Sequence, residues 1–386
     1  QFGSISKADG SLDYRYWFAD ALTKLKSPVQ IGPTPIGLFK FGGGAFYNMQ
    51  QASIEALDLD SGTEVDFDLE TYDAGEGADA IPASDLVPGY GLTGIKYTPR
   101  KDKLEVYAKL VMGNMPSGTT ANMDLVLRVA FDISDFSLER VALEGHVYFM
   151  APLDSRQDAK VKGYTDIVYE HEQKTLKIDG GVNVSIKLSD TEPSTVVIQG
   201  TGNFDLFFNL NPGMSDDYYI ALGAPPLEHR MNMEFNLLDS WQAFEGYFVA
   251  GNINRLPGNK KTLPKLRKYH PLLQRFEGDN NLNFDDLLDG NAILMGARYS
   301  YLLDETFGVF NAHLDFTIGL DAMITRPTYT CGTSTSPPGI DGWYLDGQIY
   351  GALHGSLGIH VDVFVYEGNF NIATIEAIDI NNQLMS

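Results

Sequence analysis

Alternation of apolar and polar residues is the feature that most constrains how this chain can fold. Leu104, Val106, Ala108, Leu110 and Met112 are apolar, while Lys103, Glu105, Tyr107 and Lys109 between them are mostly polar. The same two-residue period carries Met123, Leu125, Leu127, Val129, Phe131 and Ile133, then Leu176, Ile178, Val182, Val184, Ile186 and Leu188. It returns at Val196 to Leu210, at Phe310 to Leu320 and at Leu345 to Val365. Period two is the signature of a strand whose faces differ. Asp60-Ser61-Gly62-Thr63, Asp179-Gly180-Gly181, Asn211-Pro212-Gly213 and Glu367-Gly368-Asn369 supply turn chemistry between the runs.

The expected fold is therefore all-β and mainly antiparallel. A long-stranded meander would form a large sandwich or a curved, barrel-like sheet that buries one side. On that reading the apolar face is the core. Leu176, Ile178, Val184 and Ile186 should be buried, with Lys177, Asn183 and Lys187 in solvent. Helix is expected only at Phe18 to Lys26 and at Leu263 to Phe276. The break in the strand pattern from Arg255 to Leu282 suggests a β-rich region 1–254, a basic connector 255–282 and a second β-rich region 283–386, or one continuous β structure.

A net charge of −23 sets the chain against nucleic-acid phosphates and anionic headgroups. Cations, basic proteins and neutral glycans are the compatible partners. The single cysteine, Cys331, excludes an intrachain disulfide and a multi-thiolate zinc site. No run of about 18 apolar residues marks a membrane-crossing helix. The chain opens at Gln1 and closes at Ser386 with neither a signal peptide nor a tail motif, which reads as a processed or excised segment.

Two charge clusters stand out. Asp58, Asp60, Glu64, Asp66 and Asp68 alternate with apolar residues around Ser61-Gly62. A hairpin there gathers five carboxylates on one face, which a hard cation such as Ca²⁺ would relieve. A solvated acidic face is the plain alternative, and the spacing is not that of an EF-hand. If Ca²⁺ binds there, it should raise the melting temperature beyond Na⁺ at matched ionic strength. Asp60→Asn with Asp66→Asn should abolish that excess, and equal shifts with both salts would leave only a solvated face.

The second cluster is basic: Lys260, Lys261, Lys265, Arg267 and Lys268, with Arg275 beyond. It suits docking to the acidic hairpin or to a partner. Trp343, Tyr344 and Tyr350 could stack on a sugar ring, although aromatics on sheets more often pack in a core. The histidines show no metalloprotease spacing; His354 and His360 stand about 20 Å apart on a strand. Nucleophile-elbow, P-loop and dinucleotide-binding fingerprints are missing. No catalytic residue and no resident cofactor is therefore assigned.

Several segments resemble a family of very large envelope or secreted proteins of Bacteroidota, some described as TANFOR-domain proteins. They are Asp20-Ala21-Leu22, Phe39 to Met49, Asp217 to Gly223, Gly246 to Asn252 and Gly342 to Tyr350. The resemblance implies envelope or surface placement and a structural or binding role, with other envelope chains or the rest of a longer parent chain as partners. It implies no activity. The leading expectation is a non-catalytic scaffold or adhesive module outside the cytoplasm. Two rivals are part of an outer-membrane β-barrel, whose apolar face meets lipid, and a carbohydrate-binding or carbohydrate-active domain. Against the barrel, the sequence shows no consistent aromatic girdle at the strand ends.

Overall fold

The computed structural model describes residues 2–51, 97–187, 196–214, 217–237, 240–252, 290–307, 310–327, 343–363 and 366–384. The chain is an all-β antiparallel meander with essentially no helix. Its contacts divide it into two units, Gln1–Ala159 with Asp166–Lys174, and Lys160–Thr165 with Thr175–Ser386. The expected helix at Phe18 to Lys26 is instead the middle of a long strand. Trp17 and Phe18 there point to opposite faces and stack on Tyr47 and Phe46 of the next strand. Cross-strand aromatic pairing has outweighed local helix propensity. The other expected helix and the connector 255–282 lie outside the described residues.

The first unit holds β1 (Phe2–Ser6), β2 (Leu12–Gln30), β3 (Ile36–Gln51), β4 (Tyr97–Asn114), β5 (Ala121–Asp132) and β6 (Ser137–Phe149), with the second half of β7 (Val161–Glu170). Each of β1 to β6 pairs antiparallel with its sequence neighbour. The second unit holds β8 (Thr175–Lys187), β9 (Val196–Asn209), β10 (Tyr218–Leu222), β11 (Met231–Leu237), β12 (Ser240–Asn252), β13 (Gly290–Phe307), β14 (Phe310–Pro327), β15 (Tyr344–Val363) and β16 (Tyr366–Leu384). It continues as a meander from β8 to β16.

One step departs from this order. The strands β10 and β11 share the same two neighbours, β9 and β12. Leu222 pairs with Phe248 and Met231 with Gly246, so only the ladder position opposite Tyr247 separates them. Gly223 keeps that position, its N–H donating to the Asn203 carbonyl at 2.8 Å. Residues 224–230 are extruded from an otherwise unbroken sheet. Gly223 has φ +66°, and a Cβ there would stand 2.9 Å from the Met231 nitrogen and 3.1 Å from the Gly246 carbonyl. Only glycine fits where the chain leaves and re-enters the ladder.

Other glycines were legible as turns but fill strands. Gly180 and Gly181 lie inside β8, paired with Phe204 and Asn203. A Cβ on Gly180 would stand 2.5 Å from the Tyr164 carbonyl, so the residue serves close backbone approach rather than a turn. Asn211-Pro212-Gly213 does form a turn, with Gly213 at φ +90°.

The largest departure from expectation concerns the faces. In β4 the buried residues are Glu105, Tyr107, Lys109 and Val111, while Val106 and Leu110 are exposed. In β5, Asn122, Asp124, Val126 and Arg128 are buried and Leu127 is exposed. In β14 and β15, Thr317, Asp321, Met323 and Tyr350 are buried, while Ile318 is 47% and Ile349 54% exposed. Leu176, Ile178, Val184 and Ile186 of β8 are only half-buried, although Lys177, Asn183 and Lys187 are exposed as expected. In β4, β5, β14 and β15 the face taken for the core is the open one, whereas in β8 the polar face is the more exposed, as expected.

Candidate functional site

The apolar face is continuous in both units. In the first, the register places Phe41 beside Leu110 and Leu125, then Ala45 beside Val106, Val129 and Val141. In the second, Phe248 stands beside Met295 and Ala322, and Gly246 beside Ala297, Leu320 and Ile349. Along β13 this face reads Ile293, Met295, Ala297, Tyr299, Tyr301 and Leu303, bounded by Asn291 and Glu305. Ile293 to Leu303 spans about 34 Å along the strand, or about 26 Å for a sheet tilted by ~40°.

Some aromatics lie at the border of the band. Trp17 stacks on Tyr47 at 5.9 Å in the first unit. In the second, Phe208 stacks on Tyr218 at 6.4 Å and the Arg326 guanidinium lies 5.9 Å from the Trp343 ring, whereas Phe244 packs on Tyr299 at 4.7 Å within the band.

A shallow depression of about 670 Å³ opens on this face of the second unit. Gly200, Gly202 and Gly246 lie among its lining, and Met231, Phe244, Tyr299, Ile318 and Ile349 wall it.

The opposite face carries the charges. In the first unit, Arg156 from the connector between β6 and β7 reaches onto β5. Its Nη2 lies 2.8 Å from an Asp124 oxygen and its Nε donates to Asn122 Oδ1 at 2.7 Å. The guanidinium sits 4.9 Å from the Tyr148 ring. Asn122 donates in turn to the carbonyls of Gly118 and Ala151, fixing the connector. Lys109 lies 3.9 Å from Asp124, and Arg128 pairs with Glu144 at 3.0 Å.

In the second unit the extruded segment 224–230 brings Arg230 across β12 and β13 to Asp321 on β14. Nη2 stands 2.8 Å from Asp321 Oδ1, and both side chains are 0% exposed. The guanidinium lies 4.8 Å from the Tyr247 ring, and Nε donates to the Pro225 carbonyl at 3.0 Å. Tyr350 is buried beside the pair. Gly296 makes the crossing possible, since a Cβ there would collide with Asp321 Oδ1 at 2.1 Å and Tyr247 Cε1 at 2.3 Å. Two residues further along, Glu245 and Arg298 form a hydrogen-bonded ion pair. A cluster of Phe207, Tyr219, Val249, Leu294 and Met323 supplies the apolar part of this face.

Among the residues singled out from sequence, Asp58, Asp60, Glu64, Asp66 and Asp68 lie outside the described residues, as do Lys260, Lys261, Lys265, Arg267 and Lys268. Trp343 is half-buried under Arg326, and Tyr344 pairs through its backbone with Thr325. Tyr350 is turned onto the charged face beside Arg230 and Asp321. Sequence reasoning missed Arg156, Asp124, Arg230 and Asp321. Asp124 and Asp321 lie on strands while Arg156 and Arg230 lie in connections between strands, and no local spacing links the partners.

No protein-family model, curated protein or solved structure matches the chain. No helix among the described residues is long and apolar enough to cross a membrane, a criterion that does not bear on strands.

Proposed function

We propose that this chain is a membrane-inserted antiparallel β-sheet of the outer-membrane barrel kind, with its apolar face against lipid and its charged face turned away. The observation that carries the reading is the inversion of the faces. A water-soluble sheet covers its apolar side, whereas a lipid-facing sheet exposes it and pairs its charges on the other. In the first unit Asp124 and Arg128 are buried on one face while Leu127 stands exposed on the other, and in the second Arg230 and Asp321 are buried on one face while Ile318, Leu320 and Ile349 stand exposed on the other.

Two further features agree. The apolar band has the thickness of a hydrocarbon core at the tilt usual for such strands. The connections are also unequal within the second unit, where 188–195, 238–239, 308–309 and 364–365 join strand ends on one edge and 210–217, 253–289 and 328–343 join them on the other. Short turns on one side and long loops on the other are usual for barrels of the outer membrane.

On this reading the chain belongs to an extracytoplasmic membrane, forms part of a wall and presents its charged side to envelope partners. It carries out no catalysis. The test is to refold the chain with and without detergent micelles. It should aggregate in plain buffer and give a β spectrum and a heat-modifiable band only with detergent. A monodisperse, β-rich protein in detergent-free buffer would refute the reading and favour a scaffold whose apolar face is covered by other protein.

A further inference from the structure

We propose that Asp321, Tyr247 and Tyr350 form a guanidinium-binding site on the charged face, occupied in this structure by the chain's own Arg230, and that an arginine side chain of a partner peptide is the exchangeable occupant. The proposal does not depend on what covers the apolar face.

The site is built around the guanidinium. A carboxylate oxygen takes one Nη at 2.8 Å and the Tyr247 ring lies 4.8 Å from the guanidinium carbon. Planar delocalised cations suit this combination of carboxylate and aromatic face better than an ammonium does. The pocket's room is held open by glycine. A Cβ on Gly296 would strike Asp321 and Tyr247, and one on Gly319 would stand 2.4 Å from the Tyr350 hydroxyl.

The occupant arrives on an element that lies outside the ladder. The sheet is continuous without 224–230, because β9 and β12 run unbroken past the point where the segment leaves. Within the segment the Ala224 N–H donates to the His229 carbonyl at 2.8 Å, and the Arg230 Nε to the Pro225 carbonyl at 3.0 Å. These bonds tie the segment to itself, Arg230 ties it to Asp321, and Ala224 and Pro225 are buried. It is a strap that carries a ligand-like group into a site made by other strands. The net charge of −23 favours the approach of a basic peptide to the site once the strap lifts.

The test uses the full chain with 224–230 deleted, so that Gly223 runs directly into Met231. The probes are acetyl-Gly-Arg-Gly-amide and its lysine counterpart. The arginine peptide should raise the melting temperature of the deletion protein by several degrees more than the lysine peptide at equal concentration. Asp321→Asn in the same background should abolish the difference. Equal effects of the two peptides, or none from either, would overturn the proposal. Should the deletion protein not fold, Arg230→Ala in the intact chain replaces it, with millimolar guanidinium chloride against sodium chloride as the comparison. Stabilisation by guanidinium beyond sodium supports the site, and its absence overturns it.

Discussion

Asp321→Ala should destabilise the protein by about 3–5 kcal/mol, the usual cost of stranding a buried charge by removing its partner. Arg230 cannot recover water by rotating away, since its side chain is 0% exposed and its Nε is held by the Pro225 carbonyl. Arg230→Met should cost a comparable amount by leaving the carboxylate alone among Tyr247 and Tyr350. The double variant, Arg230→Met with Asp321→Leu, should be far less damaged than the two losses added together, because no charge remains to be solvated. Urea melts followed by tyrosine and tryptophan fluorescence measure all three. Additive losses would mean that the pair is not coupled in the folded protein.

Ile318→Arg separates the two environments that the exposed apolar face could meet. Against lipid, a charge near the middle of the band costs about 2–4 kcal/mol. Against water, a substitution at a position 47% exposed away from special features stays within about 0.5 kcal/mol. Leu320→Arg on the same strand should behave alike, while Arg326, at the band's border over Trp343, should tolerate Lys at little cost. The measurement is the free energy of unfolding in lipid vesicles or micelles, with folding followed by gel mobility. Loss near zero at both Ile318 and Leu320 would place this face in water or against a polar partner.

The strands and their period could be read directly. Leu104 to Met112 and Met123 to Phe131 keep the two-residue period within β4 and β5, while Ile133, expected to continue it, falls in the turn after β5. The identity of the core could not be read that way. Alternation tells which residues share a face but is silent on which face is covered, and the same pattern serves a sandwich and a barrel wall. Phe18 to Lys26 misled because its partner Phe46 is distant in sequence. Gly180 and Gly181 misled because a glycine that admits a ring from the next strand has the same letters as a turn. The Arg230–Asp321 pair joins a connecting segment to a strand far along the chain, and no local spacing foretells it.

The extruded segment also changes the numbering of the faces. In β10 the odd positions, Tyr219 and Ala221, are buried, whereas in β11 it is Met233, an odd position, that is exposed. Residues 224–230 form an odd surplus, and the ladder resumes in the opposite phase. Because the surplus lies outside the ladder, its length is free of the parity that binds every strand around it. One residue inserted into β12 would turn all that follows inside out, whereas residues inserted beside the exposed Glu228 would move no neighbour across the sheet. This makes Glu228 the point at which an epitope, a fluorophore-bearing loop or a whole domain can be grafted while the two faces keep their assignments.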